Sequence, residues 1–377
     1  MITTTRSPAF VVVVLALLLV GCGSNDNPSL GDWTLQTDKL TLTETLRVSE
    51  TESFYFGSIT ALDVTSDGRI VVADRAASNI KLLRPDGSLI DTLGGPGEGP
   101  GEFQTLTRVG VGARDSLYAL DLQRGQITVY APADPYERRR LLPVPRDQGF
   151  MALLYVLPDG SLVGSFGSSM APEDGVTRPA PSAVRPIDGT GTPGDTLLLD
   201  RSGQMAFAFG ENGGFTADAV PFSRETVIAV GPNGRFYHGW TDSLHVEARS
   251  LDGNSETVAS VPVDPVPVTE SARDSALSDL DDRVRSMAAS ALPDTKPAFT
   301  AMTVSDEGRI WIKRPPTRPD AATVPWWILD PETRTIQQAQ LPPEVELMVV
   351  RDGKAYGTTT TGRGAPALVQ YQASREP

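Results

Sequence analysis

The sequence predicts an all-β fold, a six-bladed β-propeller. Three observations carry this: one hairpin pattern occurs six times, the copies are spaced as blades are, and no helical period competes at these places. The copies are LDVTSDGRIVVAD (62–74), VGVGARDSLYALD (109–121), LYVLPDGSLVGSF (154–166), IAVGPNGRFYHGW (228–240), MTVSDEGRIWIKR (302–314) and LMVVRDGKAYGTT (347–359). Take the turn residue of each as reference: Gly68, Asp115, Gly160, Gly234, Gly308 and Gly353. Every copy then has valine four positions earlier and an apolar aliphatic residue six earlier. A period of two on both sides of a tight turn marks a hairpin whose strands each bury one face. Glycine in the turn supplies the positive φ such turns require.

The reference residues are 47, 45, 74, 74 and 45 positions apart. The short intervals match one four-stranded blade, about 40–50 residues in known propeller repeats. The long intervals are a blade plus an insertion. Third and fourth strands show beside the turns Pro85-Asp86-Gly87, Asp252-Gly253 and Asp330-Pro331. After Gly353 too little chain remains for a complete blade. The stretch Leu40–Val48 alternates like a strand and is predicted to supply the missing outer strand of the sixth blade. Closing the ring in this way removes exposed sheet edges. A seventh blade over 183–220, with GDTLLLD and MAFAFG as strands, is the competing arrangement.

One segment has a helical pattern. In 269–291, Ala276, Leu280, Val284 and Met287 recur at helical spacing, Thr269 or Ser271 can cap the start, and Pro293 ends it. It reads as a short helical insertion bracing the ring.

Composition narrows the function. The chain has 377 residues, 40% of them hydrophobic, a net charge of −14, 35 glycines and 31 prolines. Such a chain can bury a large core and is rich in turns. Its acidity argues against nucleic acid, where affinity comes from neutralising phosphates. With one cysteine, Cys22, it forms no internal disulfide.

Residues 1–21 have the form of a leader. Arg6 precedes an apolar run from Ala9 to Val20, shorter than the roughly 20 residues a membrane-spanning helix needs. The run ends Leu19-Val20-Gly21-Cys22, which resembles the lipobox of bacterial lipoproteins. That resemblance implies cleavage before Cys22 and acylation of its thiol, palmitate being a typical acyl chain. The expected layout is a signal peptide over 1–21, a lipid-anchored tether over 22–32 and a propeller over 33–377. The expected location is the cell envelope, on the outer membrane facing periplasm or exterior, because Gly23 stands where lipoproteins retained at the inner membrane often carry Asp.

The first two copies also resemble NHL repeats, through DGRIVVADRAASNIKLL (67–83) and the glycine-rich link GGPGEGPGEF (94–103). The likeness covers about 58–130 and fades beyond it. It implies an NHL-like propeller, a fold that serves mostly as a binding scaffold. Fold alone does not settle function.

Loop lengths are uneven. Turns joining strands one to two and three to four are short, whereas the opposite face receives 94–103, 166–181, 203–219, 263–297, 313–325 and 359–366. Function concentrates on loops held by a rigid frame, so the long-loop face is the expected working face. Its basic residues Arg75, Arg124, Arg178, Lys313, Arg314, Arg318 and Arg363 slightly outnumber its acids Asp74, Asp121, Glu173, Asp174, Asp242 and Asp320. Arginine beside tryptophan is common at binding hot spots. The candidate ligand-binding residues are therefore Arg108, Arg224, Trp240, Lys313 and Arg314, with Arg108 and Arg224 expected to flank the channel mouth.

No catalytic residue and no metal ligand is assigned. Gly95–Gly101 precedes a strand and so does not form a phosphate loop. His238 and His245 are too few for a histidine metal site, and His238 reads as structural. A calcium-dependent hydrolase or lyase of the lactonase type is the alternative. It needs several oxygen ligands in the channel, but the strand starts offer only Ser58, Arg108, Met151, Arg224, Phe299 and Glu344. Asp74 and Asp121 read as turn caps. The sequence thus describes a non-catalytic binding module without a resident cofactor, with the membrane and an unidentified protein or small molecule as partners.

Mass spectrometry of the mature N-terminus should find acyl chains on Cys22, and Cys22→Ser should move the protein to the soluble fraction. A soluble mature chain with an unmodified N-terminus would refute the assignment.

Overall fold

A computed structural model describes residues 31–375 apart from 52–53, 134, 148, 168–173 and 211–213. The leader, Cys22, most of the tether and Glu173 lie outside the described residues. Six four-stranded antiparallel sheets form the blades of a ring. Their innermost strands are Ile59–Val64, Leu106–Val111, Phe150–Val156, Thr226–Val230, Ala301–Val304 and Glu346–Arg351, and these define blades one to six.

The hairpins pair largely in the register the repeat implies. Val64 faces Ile70, Val111 faces Leu117, Val156 faces Leu162, Val230 faces Phe236 and Val304 faces Ile310. Asp115, in place of the turn glycine, adopts φ 59, a left-handed conformation that aspartate tolerates better than most residues. The sixth copy departs by one position. There Val350, not Val349, faces Ala355, because the hairpin closes on the two-residue turn Asp352-Gly353, both residues at positive φ. The slip is absorbed by a bulge between Leu347 and Val349.

Closure is as expected. Leu40–Val48 pairs antiparallel with Pro366–Arg375 over eight registered positions and completes blade six. The chain entering it is also fixed. Trp33 is buried in the core between blades four and five, and Thr34–Leu35 adds a parallel strand to the outer edge of blade five. At the inner edge Arg351 of blade six donates to the Val64 carbonyl of blade one, so the last junction is tied at both radii.

The seven-blade arrangement is not formed. Leu198–Asp200, within GDTLLLD, is the outer strand of blade three, paired with Ser182–Ile187. MAFAF (Met205–Phe209) belongs to a small sheet with Gly175–Thr177 and Phe215–Ala219. The expected helix is two helices, α1 (Glu270–Ser278) and α2 (Asp282–Ser290), capped by the Thr269 and Asp281 side chains. Val284 and Ala288 of α2 pack on Ala206, Ala208 and Val220. The two longest insertions thus bury their apolar residues against each other, forming an accessory layer outside the ring.

Removing residues 38–50 strands the edge of Pro366–Arg375 and exposes Leu40 and Val48, both under 9% accessible in the ring. The deletion should abolish cooperative unfolding. A variant that melts like the parent would refute closure through blade six.

Candidate functional site

The long-loop face holds four of the five candidate residues, and their polar groups are occupied. Lys313 and Arg314 are each 8% exposed. The Lys313 ammonium donates to the Pro343 and Val345 carbonyls, at 3.1 and 3.2 Å, and pairs with Glu346. The Arg314 guanidinium donates to the Ala298 carbonyl and lies 4.8 Å from the Trp327 ring centroid. Burial pulls it down to about 10, so it stays charged at neutral pH. Arg224 donates to the carbonyls of Phe222 and Thr295, both at 2.8 Å, and to the Thr295 hydroxyl. Trp240 is covered by the Arg178 guanidinium at 5.2 Å, and that arginine donates to the carbonyls of Ser202 and Arg224. These cations fasten the insertions to the ring.

Arg108 is different. It lines the central channel, a cavity of about 610 Å³ to which all six blades contribute. The lining runs from Thr60 and Arg108, at the inner end, to Pro158, Pro232, Asp306 and Arg351 in the strand-one to strand-two turns. No insertion residue lines it. A second cavity of about 370 Å³ shares Val111, Pro158, Asp306 and Arg351 and broadens the opening on the same side. The cavity therefore opens on the short-turn face, opposite the long loops. Arg224 is absent from the lining, as are Ser58, Met151, Phe299 and Glu344. Met151 and Phe299 are buried in blade cores. Arg108 alone of the expected mouth residues reaches the channel, past a bulge between Leu106 and Arg108.

Four charged residues line the channel. Near the opening, both Asp63 oxygens are occupied, one by the Val64 N–H at 2.8 Å and one by the Val111 N–H at 2.7 Å. Burial raises its pKa against these bonds and the Arg351 charge. Asp306 accepts the Asp352 N–H at 2.9 Å. Deeper in, Arg108 donates to the Thr60 carbonyl at 2.7 Å and the Thr107 carbonyl at 3.3 Å. Burial lowers its pKa, and the nearby Tyr155 partly offsets this. The remaining wall mixes apolar side chains, among them Ile228, Val230, Met348 and Val349, with polar ones such as Tyr155, Thr303 and Ser305.

Asp74 and Asp121 are structural, as expected. Asp74 is fully buried, accepts the Gly57 and Ser58 N–H groups at 2.9 Å each, and pairs with Lys81 at 2.8 Å. Asp121 accepts the N–H groups of Gln104, Thr105 and Arg124. His238 is half-buried. Its Nε2 has no hydrogen-bond partner and lies 3.7 Å from Glu247, so it is less completely satisfied than the sequence suggested. Among the described residues no three Asp, Glu, His or Cys side chains are grouped as a metal cage requires, and no helix is long and apolar enough to cross a membrane.

A family model, DUF5128, described as a 6-bladed beta-propeller, matches residues 36–152. No curated protein matches the sequence. Among solved structures, the chain is similar to a candidate exported protein of Bacteroides fragilis, with a TM-score of 0.53, 11% identity, and coverage of 90% of this chain and 98% of that one. It is also similar to a DUF4221 family member from Bacteroides vulgatus, with a TM-score of 0.50, 8% identity, and coverage of 90% and 99%. Streptogramin B lyase overlays less well, with a TM-score of 0.44, 12% identity, and coverage of 89% and 98%. At these identities the likeness is of fold alone.

Asp74→Ala should destabilise the protein by about 3–5 kcal/mol, because it strands the Lys81 ammonium in the core. Burial opposes the Asp74 charge, but Lys81 and the two N–H groups prevail and hold its pKa below the ordinary aspartate value of 3.8. Its contribution is therefore present above pH 3.8 and lost as pH falls through the folded-state value. Asp74→Asn should show a smaller acid-induced loss than the parent in melts below pH 4. Equal losses would contradict this role.

Proposed function

We propose that this protein is a lipid-anchored envelope protein that binds a small ligand in its central channel, entered from the short-turn face. The observation that carries the reading is the channel itself. It lies within the roughly 300–1,000 Å³ range of ligand pockets and is lined by both apolar and polar groups. Anchoring rests on the lipobox-like Leu19–Cys22. Binding, rather than catalysis, is favoured because the channel brings together no nucleophile with a base.

Met348 is half-buried, and its backbone carbonyl is already held by the Thr303 hydroxyl. Met348→Trp should fill the channel while leaving the ring intact. Ligands found by a melting-temperature screen of the parent should lose at least about tenfold in affinity for this variant, which should melt within a few degrees of the parent. Unchanged affinity would place binding elsewhere and overturn the channel reading.

A further inference from the structure

We propose that the inner end of the channel is a seat for an oxyanion, the carboxylate or phosphate group of the ligand, built by Arg108 and Tyr155. The inference deepens the channel-binding reading and rests on it.

The first argument is the isolation of Arg108. Among the described residues, no carboxylate lies within ion-pair distance of its guanidinium, and the neighbour that most affects its charge is the Tyr155 phenol. Its two hydrogen bonds, to the Thr60 and Thr107 carbonyls, come from one terminal nitrogen. The rest of the donor fork has no protein partner. A guanidinium withdrawn from water without a counter-charge is costly, and a bound anion removes that cost.

The second argument is the company it keeps. The Thr60 hydroxyl has no hydrogen-bond partner but is sealed from solvent, so a ligand in the channel does not reach it. The Tyr155 hydroxyl likewise has no protein partner among the described residues, while its ring is fixed edge-on to Phe236 at 5.9 Å. Burial, and then the Asp200 carboxylate, raise the Tyr155 pKa against the Arg108 charge, so its proton is available to donate. In the strand register Tyr155 sits two positions closer to the opening than Arg108, level with Asp63. The carboxylates of Asp63 and Asp306 already accept backbone N–H groups. The arrangement accepts negative charge at the deep end, and Ile228, Val230 and Met348 face the apolar remainder of a ligand.

Calorimetry with succinate and with inorganic phosphate, on the mature protein at fixed ionic strength, tests the proposal. The two probes separate carboxylate from phosphate preference. At least one should bind, its affinity falling about tenfold or more in Arg108→Met, several-fold in Tyr155→Phe, and less in Arg108→Lys. Without ligand, Arg108→Met should melt at or above the parent, because a stranded charge is removed. Failure of both anions to bind the parent, or equal affinity in Arg108→Met, overturns the seat. So does a ligand-free melting temperature far below the parent's in Arg108→Met, which would make the guanidinium a tie between blades. Met348→Trp separates the two readings. Affinity lost there but kept in Arg108→Met leaves the channel reading standing and removes the anion seat. Affinity kept in both removes the two together.

Discussion

Closing a ring of sheets requires the two ends of the chain to share one blade, and the pairing of Leu40–Val48 with Pro366–Arg375 meets that requirement. Without it, blade six would end in an unpaired edge and blades one and six would have no covalent reason to stay together. The outer pairing alone does not set the channel. Arg351 on the Val64 carbonyl, Asp63 on the Val111 N–H and the Thr303 hydroxyl on the Met348 carbonyl stitch neighbouring inner strands around it. The hydrophobic clusters lie between blades and fill the space from these stitches to the rim. A rigid channel is thus the product of closure at the rim and polar ties at the centre.

Charge in the interior is used as a fastener. Asp74 gathers the incoming chain at Gly57 and Ser58 and is neutralised by Lys81. Arg314 holds Ala298, Lys313 holds Pro343 and Val345, and Arg224 holds Thr295. In each case a buried cation or carboxylate satisfies backbone groups where irregular chain meets a strand, a place where the ladder offers them no partner. Long insertions attach to the ring without loosening it, and the accessory layer of α1, α2 and the small sheet adds its own apolar core.

The hairpins were legible because their information is local: alternation, a valine column and a turn glycine lie within thirteen residues of each other. Closure was legible by elimination, since a short final repeat needs a strand from elsewhere. The register slip in blade six was not, because Val349 and Val350 are adjacent and only the shortness of the Asp352-Gly353 turn chooses between them. The site was harder still. Arg108, Arg224 and Arg314 are alike as letters, and loop length pointed to the face carrying the last two. Their difference lies in which carbonyl each guanidinium meets, and those carbonyls belong to distant segments: Thr295 for Arg224, Thr60 for Arg108. The isolation of Arg108 depends on no acid of a neighbouring blade reaching its guanidinium, which no window of sequence displays.

The same clasp that closes the ring sets the order in which the protein can be finished. Leu40–Val48 and Pro366–Arg375 lie far apart along the chain; Thr45 and Gln370, which bond in the closed blade, are 325 positions apart. Closing so long a loop is slow, so Leu40–Val48 keeps an open edge while blades one to five form from local hairpins. The ring stays a horseshoe with two sticky ends until the pair forms. During that interval the chain is open to pairing with a sibling in the same state. Its natural misfolded product is a strand-swapped dimer in which each copy's first strand completes the other's last blade.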